Sequence, residues 1–435
     1  MNQTARHSVR LSVLMTATSL LVATTAVPAQ APADDPAKVL VGRLDLERYK
    51  GTIKGLTQFG DRRQGTDRNR AAVDWIEAQL KSYGCSNTER VIYQYAGRQL
   101  VSDSTYRVDS AAAVAKGAPV PARPRSLQPA GGGGRAGAGA VTQGGGRGRG
   151  GNPVKGFTAR TGVNTDPMMQ PDSAIRGLDA QWDTPGERQE VFCTKIGTTH
   201  PEEMYILGGH MDGIGFGTAA NDDGSGTALV MELARILSTP DVKTERSIRF
   251  VLWNNEETGL NGAKAYIDQR AALQGKEDPV GSGKYPEPKW LAMIQHDMML
   301  WDHGMPGPDG KANPEQRREA DVNVEFAGTS KFAAESQKLA WYFRTMNDRY
   351  ATDYPVAVGD RMSNTDSDAF RDLVPSISLR ENERLSQTGS GWSPTWHQPI
   401  DVFSTFSDKD FRLGLNAAQT TLAAIAQLTG ATIKP

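Results

Sequence analysis

Apolar residues along the chain keep two different rhythms. Residues 205–207 and 248–253 are short apolar runs of strand length. Between them Leu229, Leu233, Ile236 and Leu237 recur at i, i+4, i+7 and i+8, the spacing of one helix face. That helix is opened by Asn221-Asp222-Asp223-Gly224-Ser225-Gly226. Residues 71–80 repeat the helical rhythm and stop at Gly84. Residues 90–95, 191–196, 290–295, 322–326 and 376–379 read as further strands, with helices at about 329–349 and 407–428. Strands alternating with helices predict an α/β three-layer sandwich, with a mixed, largely parallel central sheet flanked by helices. No segment repeats another.

The two runs around the 224–237 helix end in residues that bind metals. His210 and Asp212 follow the first, Glu256 and Glu257 the second. In an open α/β sheet the strand ends form the edge where sites are built.

Composition narrows the setting. The chain has 435 residues, 38% hydrophobic and 23% charged, and a formal net charge of −1. A balance this even gives no reason to expect a nucleic-acid partner. Arg6 and Arg10 precede an apolar run at 11–27, and Ala29-Gln30-Ala31 supplies small residues for cleavage, so residues 1–31 are expected to be a secretory signal peptide. The run is interrupted by Ser12, Thr16, Thr18, Ser19, Thr24 and Thr25, which favours cleavage over a retained anchor. The exported protein is then expected in the periplasm or outside the cell, with no membrane partner. Export permits a disulfide between Cys85 and Cys193, the only cysteines; two buried thiols are the alternative.

Residues 32–111 are expected to begin the catalytic domain and 161–435 to complete it. Residues 112–160 form a Gly/Arg/Pro-rich insertion, too poor in apolar side chains to offset the entropy of ordering. Its arginine-glycine pattern would suggest RNA inside a cell, but the leader and the missing aromatics favour a flexible surface segment. Order is expected again near Gln189.

The candidate ligands are modest one by one. His210 and Asp212 point the same way in extended chain, so one can bind a metal while the other orients it. Asp222 opens a helix, where capping is the plain alternative. Glu256 and Glu257 are adjacent carboxylates whose repulsion a cation or a shared proton would relieve; one can ligate while the other acts as a general base. Asp297 ends the 290–295 strand beside His296, and alternation lets one of the two enter the site; Asp297 is chosen. His397 lies in a loop before the last helix. His200 and His303 read as ordinary loop residues. Together, two His, two Asp and one Glu from five turns suit zinc, with a carboxylate able to bridge two ions.

In this order the motifs resemble those of the co-catalytic two-zinc exopeptidases (peptidase family M-28), which include bacterial leucyl aminopeptidase and glutamate carboxypeptidase II. They are His-x-Asp at His210, Asp-x-x-Ser-Gly at Asp222, Glu-Glu-x-Gly at Glu256, Asp297, and His-x-x-x-Asp at His397. Thr365-Asp366-Ser367-Asp368-Ala369-Phe370 matches a Ser-Asp-His-x-x-Phe segment. The resemblance implies a peptidase with two zinc ions per chain acting on peptide substrates through a metal-bridging water. Asp222 would bridge the ions, with His210, Glu257, Asp297 and His397 completing their shells and His397 on the ion that lacks His210. Glu256 would be the general base, and Asp212 would hold His210. Ser367 replaces a His of many relatives. Trp396 stands where some relatives have a Tyr that stabilises the oxyanion, leaving Tyr354 or a backbone amide as substitutes. Membrane-bound relatives often carry a protease-associated domain between the N-terminal region and the core; here that interval is short and Gly-rich, so no such domain is expected.

An aminopeptidase is the first reading. A carboxypeptidase or dipeptidase is second, with Arg380 and Arg384 available to hold a substrate carboxylate. A one-zinc glutaminyl cyclase and a metal-free binding protein follow, both disfavoured by the full ligand set.

Overall fold

The computed structural model describes residues 35–96, 163–301, 321–381 and 393–434. The expected signal peptide, the 112–160 insertion, His303 and Arg384 lie outside the described residues. The strands are β1 (Glu89–Tyr95), β2 (Gly186–Lys195), β3 (His200–His210), β4 (Val242–Lys243), β5 (Arg246–Trp253), β6 (Lys289–His296), β7 (Val322–Phe326), β8 (Val356–Gly359), β9 (Ser376–Arg380) and β10 (Thr432–Ile433). Eight of them form one sheet in the order β1-β2-β5-β3-β6-β9-β7-β8, and β4 pairs with β10. The central four, β5-β3-β6-β9, are parallel, while β1, β2 and β7 join antiparallel to their inner neighbours. The sheet is therefore mixed and largely parallel, as the strand–helix alternation predicts.

Alternation along β5 shows why both faces must be covered. Ile248, Phe250 and Leu252 enter one apolar cluster, Val251 and Trp253 the other. Each such side chain contributes about 1.5–3 kcal/mol when removed from water. Over the first face pack α2 (Leu46–Thr57), α3 (Asp67–Ser82), α5 (Gly224–Leu237), α7 (Ala333–Tyr350) and α9 (Asp408–Leu428); over the second, α6 (Asn261–Arg270) and α8 (Ser367–Phe370). The remaining helices, α1 (Pro36–Val41) and α4 (Ser173–Leu178), are six residues each. At α9, Asp410 accepts both the backbone N–H and the hydroxyl of Ser407, capping the longest helix described.

Several boundaries differ from expectation for one reason. The apolar run at 205–207 marks only the buried end of β3, whose first residues, His200 to Glu203, are half-buried and polar. This also places His200 in a strand rather than a loop, at the far end from His210. β2 begins at Gly186 because residues 186–190 pair with β1 alone and need no apolar face. Order is present well before Gln189, with a 3₁₀ turn at Pro167–Met169 and α4. Cys85 and Cys193 are joined in a disulfide that ties the turn after α3 to β2. No helix among the described residues is long and apolar enough to cross a membrane.

Candidate metal centre

All four parallel strands end at one edge of the sheet, and each delivers charged groups there. β3 ends in His210 and leads to Asp212, β5 leads to Glu256 and Glu257, β6 to Asp297, and β9 ends in Arg380 and leads to Glu381. Asp222 comes from the start of α5, and His397 from the turn between β9 and α9.

Asp222 lies between the two histidines. Its Oδ1 is 3.4 Å from His210 Nε2 and its Oδ2 is 3.0 Å from His397 Nε2. Beyond His210 is Asp297 Oδ1 at 3.8 Å, and beyond His397 is Glu257 Oε2 at 2.8 Å. One donor atom each from His210, Glu256 and Asp297 falls within 4.8 Å of the others, as does one each from His210, Asp222 and Glu257. Asp222 Oδ2, Glu257 Oε1 and Asp212 Oδ2 are buried without a hydrogen-bond partner. Asp222 Oδ2 meets the His397 nitrogen at 3.0 Å without hydrogen-bonding it, as a cation between them requires, and the orphaned oxygens of Glu257 and Asp212 add buried negative charge that a cation would neutralise. The donor set of imidazoles and carboxylates suits zinc.

Electrostatics agree with that shape. Burial alone would hold the two histidines neutral, but Glu256, Asp222 and Asp297 outweigh it at His210 and raise its pKa. Glu257 and Asp222 do the same at His397 and lift it to about 9. Burial pushes Glu256 well above the carboxylate range; His210 opposes that, and Glu257 adds to it. Burial likewise lifts Glu257 to about 7.

The surrounding contacts set the shape. His210 Nδ1 is 2.9 Å from the backbone carbonyl of Asp212, whereas the Asp212 carboxylate is 3.8 Å away and instead accepts the Glu256 N–H at 3.0 Å. Asp212 therefore meets His210 through its main chain and Glu256 through its side chain, whereas the expectation was that its carboxylate orients His210. Asp223, not Asp222, caps α5, accepting the Gly226 N–H at 2.8 Å and also those of His210 and Met298. A Cβ on Gly226 would lie 2.3 Å from the His296 carbonyl, so only glycine lets α5 start this close to β6. Asp401 accepts the Asn221 and Asp222 N–H groups at 2.8 and 3.0 Å. The Asp222–Asp223 peptide bond is cis. Glu381 accepts from Leu300, Trp301 and the Asn221 amide.

Other expectations meet plain answers. His296 faces away, toward the Gly208 carbonyl and the Thr421 hydroxyl, and burial lowers its pKa to about 4. Arg380 is the last residue of β9, buried, with Nη2 on Asp297 Oδ2 at 2.7 Å. Its Nη2 also meets the Asn364 carbonyl at 3.1 Å, so this nitrogen is engaged within the site. Tyr354 lies in the core with its hydroxyl donating to the Lys409 carbonyl, so it supplies no oxyanion contact. Trp396 stacks on the His397 ring at 3.8 Å. Ser367 is buried at the start of α8.

A helix–sheet–helix fold with histidines and carboxylates gathered at its parallel strand ends defines a class of α/β proteins built around a metal centre. The chain belongs to Peptidase family M28, whose model matches residues 191–420. It is 37% identical over 81 residues to aminopeptidase YwaD of Bacillus subtilis, covering 19% of this chain and 17% of that protein. It is 28% identical over 197 residues to a probable leucine aminopeptidase 2 of Aspergillus fumigatus, covering 42% and 38%. The matched stretches therefore span well under half of these relatives. Among solved structures, BSAP, a zinc aminopeptidase from Bacillus subtilis, superposes with a TM-score of 0.55 at 14% identity, over 90% of this chain and 96% of that one. An aminopeptidase from Aneurinibacillus gives 0.52 at 18%, over 92% and 96%. At such identities the likeness is one of fold.

Proposed function

We propose that this chain is an exported zinc exopeptidase that removes residues from the amino end of peptides. The observation that carries the reading is the Asp222 carboxylate set between His210 and His397, each backed by a second acid. His210 and Asp297 would hold one ion and His397 and Glu257 the other, with Asp222 shared between them. Bound there, zinc supplies Lewis acidity toward a carbonyl and lowers the pKa of water.

The chain's own groups do the rest. Glu256 takes the proton of the attacking water and returns it to the leaving amine, a role suited to a buried carboxylate with a raised pKa. Asp212 holds Glu256 by its backbone N–H, fixing the base relative to His210. The aminopeptidase reading is supported by the named relatives and by the engagement of Arg380 with Asp297, which removes one carboxylate-binding group from the carboxypeptidase alternative. Residues 1–31 support export.

The test compares wild type with Glu256→Gln, both lacking residues 1–31, for zinc content and for hydrolysis of aminoacyl-arylamides beside N-blocked dipeptides. Two zinc ions in both proteins, with arylamide hydrolysis in wild type alone, is the expected result. Metal-free, inactive protein of both kinds overturns it, and cleavage confined to the blocked dipeptides moves the reading to the carboxyl end.

A further inference from the structure

His397 has a left-handed backbone, with φ of 54°. A residue with a side chain stays there only where its surroundings over-determine it. Those surroundings come from two other parts of the chain. The His397 carbonyl accepts the Asn164 N–H at 3.0 Å. Gly215, itself at φ 104°, packs so closely that a Cβ would lie 2.4 Å from the His397 carbonyl carbon and oxygen.

Residues 163–170 bind these loops to each other. The Asn164 side-chain amide donates to the Gly215 carbonyl at 3.1 Å and to its own neighbour Asp166 at 3.0 Å. The buried Gln170 amide donates to the carbonyls of Phe216 and Pro399, both at 2.8 Å. One side chain thus joins the loop that leads from His210 to Asp222 to the loop that carries His397 and Asp401. Thr218 adds a backbone bond to the Asp401 carbonyl at 2.7 Å.

We propose that residues 163–170 are a strap that positions His397, with Asn164 and Gln170 as its working residues. The strap touches no donor atom of the centre. It acts by fixing the peptide unit of His397 against Gly215, and so the direction in which Nε2 faces Asp222 and Glu257. The proposal rests on the metallopeptidase reading for its catalytic consequence and on the hydrogen bonds alone for its structural one.

The test uses the full chain without residues 1–31, as wild type, Gln170→Ala and Asn164→Asp, the last keeping shape but losing the donor amide. Zinc is titrated away with a chelator. One of the two ions should leave Gln170→Ala at a chelator concentration about 10–100-fold lower than in wild type, while the other is unchanged. The turnover number should fall by about 10–100-fold with little change in KM, while circular dichroism stays near wild type. A purely structural role would instead move both ions together. Loss of both ions together, or of neither, overturns the strap.

A second measurement separates this proposal from the reading beneath it. In chelator-treated protein, amide hydrogen exchange across residues 395–401 should be faster in Gln170→Ala than in wild type. Equal exchange overturns the strap even if zinc binds as expected. Faster exchange in a protein that binds no zinc upholds the strap and removes the metallopeptidase reading.

Discussion

Arg62 gives the sharpest check on how the site is held. It is fully buried, and its guanidinium donates to the carbonyls of Met211, Thr218 and Ala219 at 2.7–2.8 Å, with longer contacts to Gly60 and Leu56. Those first three carbonyls belong to the loop that joins His210 to Asp222. Among the described residues no carboxylate lies within ion-pair distance of Arg62. Burial correspondingly lowers its pKa against the pull of Asp401 and Asp61. Arg62→Met would leave three buried carbonyls without a donor, at about 1–3 kcal/mol each. Relief of an unpaired buried charge and water entering the vacated space offset part of this. The expected loss is about 3 kcal/mol, the lower end of that sum, a large share of the roughly 5–15 kcal/mol that keeps a domain folded. Urea unfolding followed by circular dichroism measures it, with zinc content assayed on the same samples. The loop should loosen before the sheet does, so zinc should be lost at urea concentrations below the unfolding midpoint. An Arg62→Met protein within about 1 kcal/mol of wild type, with zinc retained to the midpoint, would refute the reasoning.

Three further outcomes follow. The disulfide closes 108 residues of sequence, for which chain entropy gives about 5 kcal/mol; replacing Cys85 and Cys193 with Ser should lower the urea midpoint, and an unmoved midpoint would show that the bridge constrains little. Arg380→Met frees the Asp297 oxygen now held at 2.7 Å and should weaken zinc binding by about 10–100-fold, read by chelator competition; unchanged binding would remove Asp297 from the ligand set. In the metal-free protein His397 is lifted to about 9, so its protonated form stabilises the fold fully below its unfolded value of about 6.5, and that contribution is lost as pH rises through about 9. Zinc must displace that proton, so its apparent affinity should climb with pH up to about 9. Calorimetry near pH 7 in two buffers of different ionisation enthalpy should show proton release on binding, and none would mean His397 is not a ligand.

Much of this architecture can be read from one sequence because the informative residues are local. Apolar runs located all four central strands, and a helical spacing located α5. The strand-end positions of His210, Glu256, Glu257 and Asp297 follow from those runs. Pattern reading missed β8, only four residues long, and α6, whose buried residues are just Gly262, Ala263 and Tyr266. It also missed the groups that hold the ligands in place. Arg62 reaches Met211 across 149 residues, and Asp401 reaches Asn221 across 180. Both act on backbone atoms, which every residue carries and no side-chain pattern marks. Arg380 was visible as a charge, but only the register of β9 beside β6 shows that it faces Asp297. Asp212 was chosen for its carboxylate, yet its carbonyl is what meets His210.

The acids of the centre divide by what their oxygens meet, and that division explains both its shape and its need for a cation. Asp212, Asp223, Glu381 and Asp401 accept backbone N–H groups: from Glu256; from His210, Gly226 and Met298; from Leu300 and Trp301; and from Asn221 and Asp222. All but the two bonds from Gly226 and His210 to Asp223 join one strand-end loop to another, so these four help determine where the loops lie. Asp222, Glu256 and Glu257 receive no such donor among the described residues, and Asp297 has only Arg380. Carboxylates stripped of water and refused by the backbone are costly unless a positive charge meets them. In the metal-free chain the raised histidines supply part of that charge, and burial leaves Glu257 at about 7. The same four acids surround His210 and His397. Asp223, Glu381 and Asp401 thus keep no orphaned oxygen, whereas Asp222 and Glu257 at the middle, and Asp212 beside them, do. Replacing a shaping acid such as Asp401 with Asn should therefore weaken the fold around Asp222 whether or not zinc is present. Replacing Glu257 with Gln should stabilise the metal-free chain and abolish the second ion. Unfolding curves of both variants, with and without zinc, decide the matter: a Glu257→Gln protein less stable than wild type in the metal-free state would break the distinction.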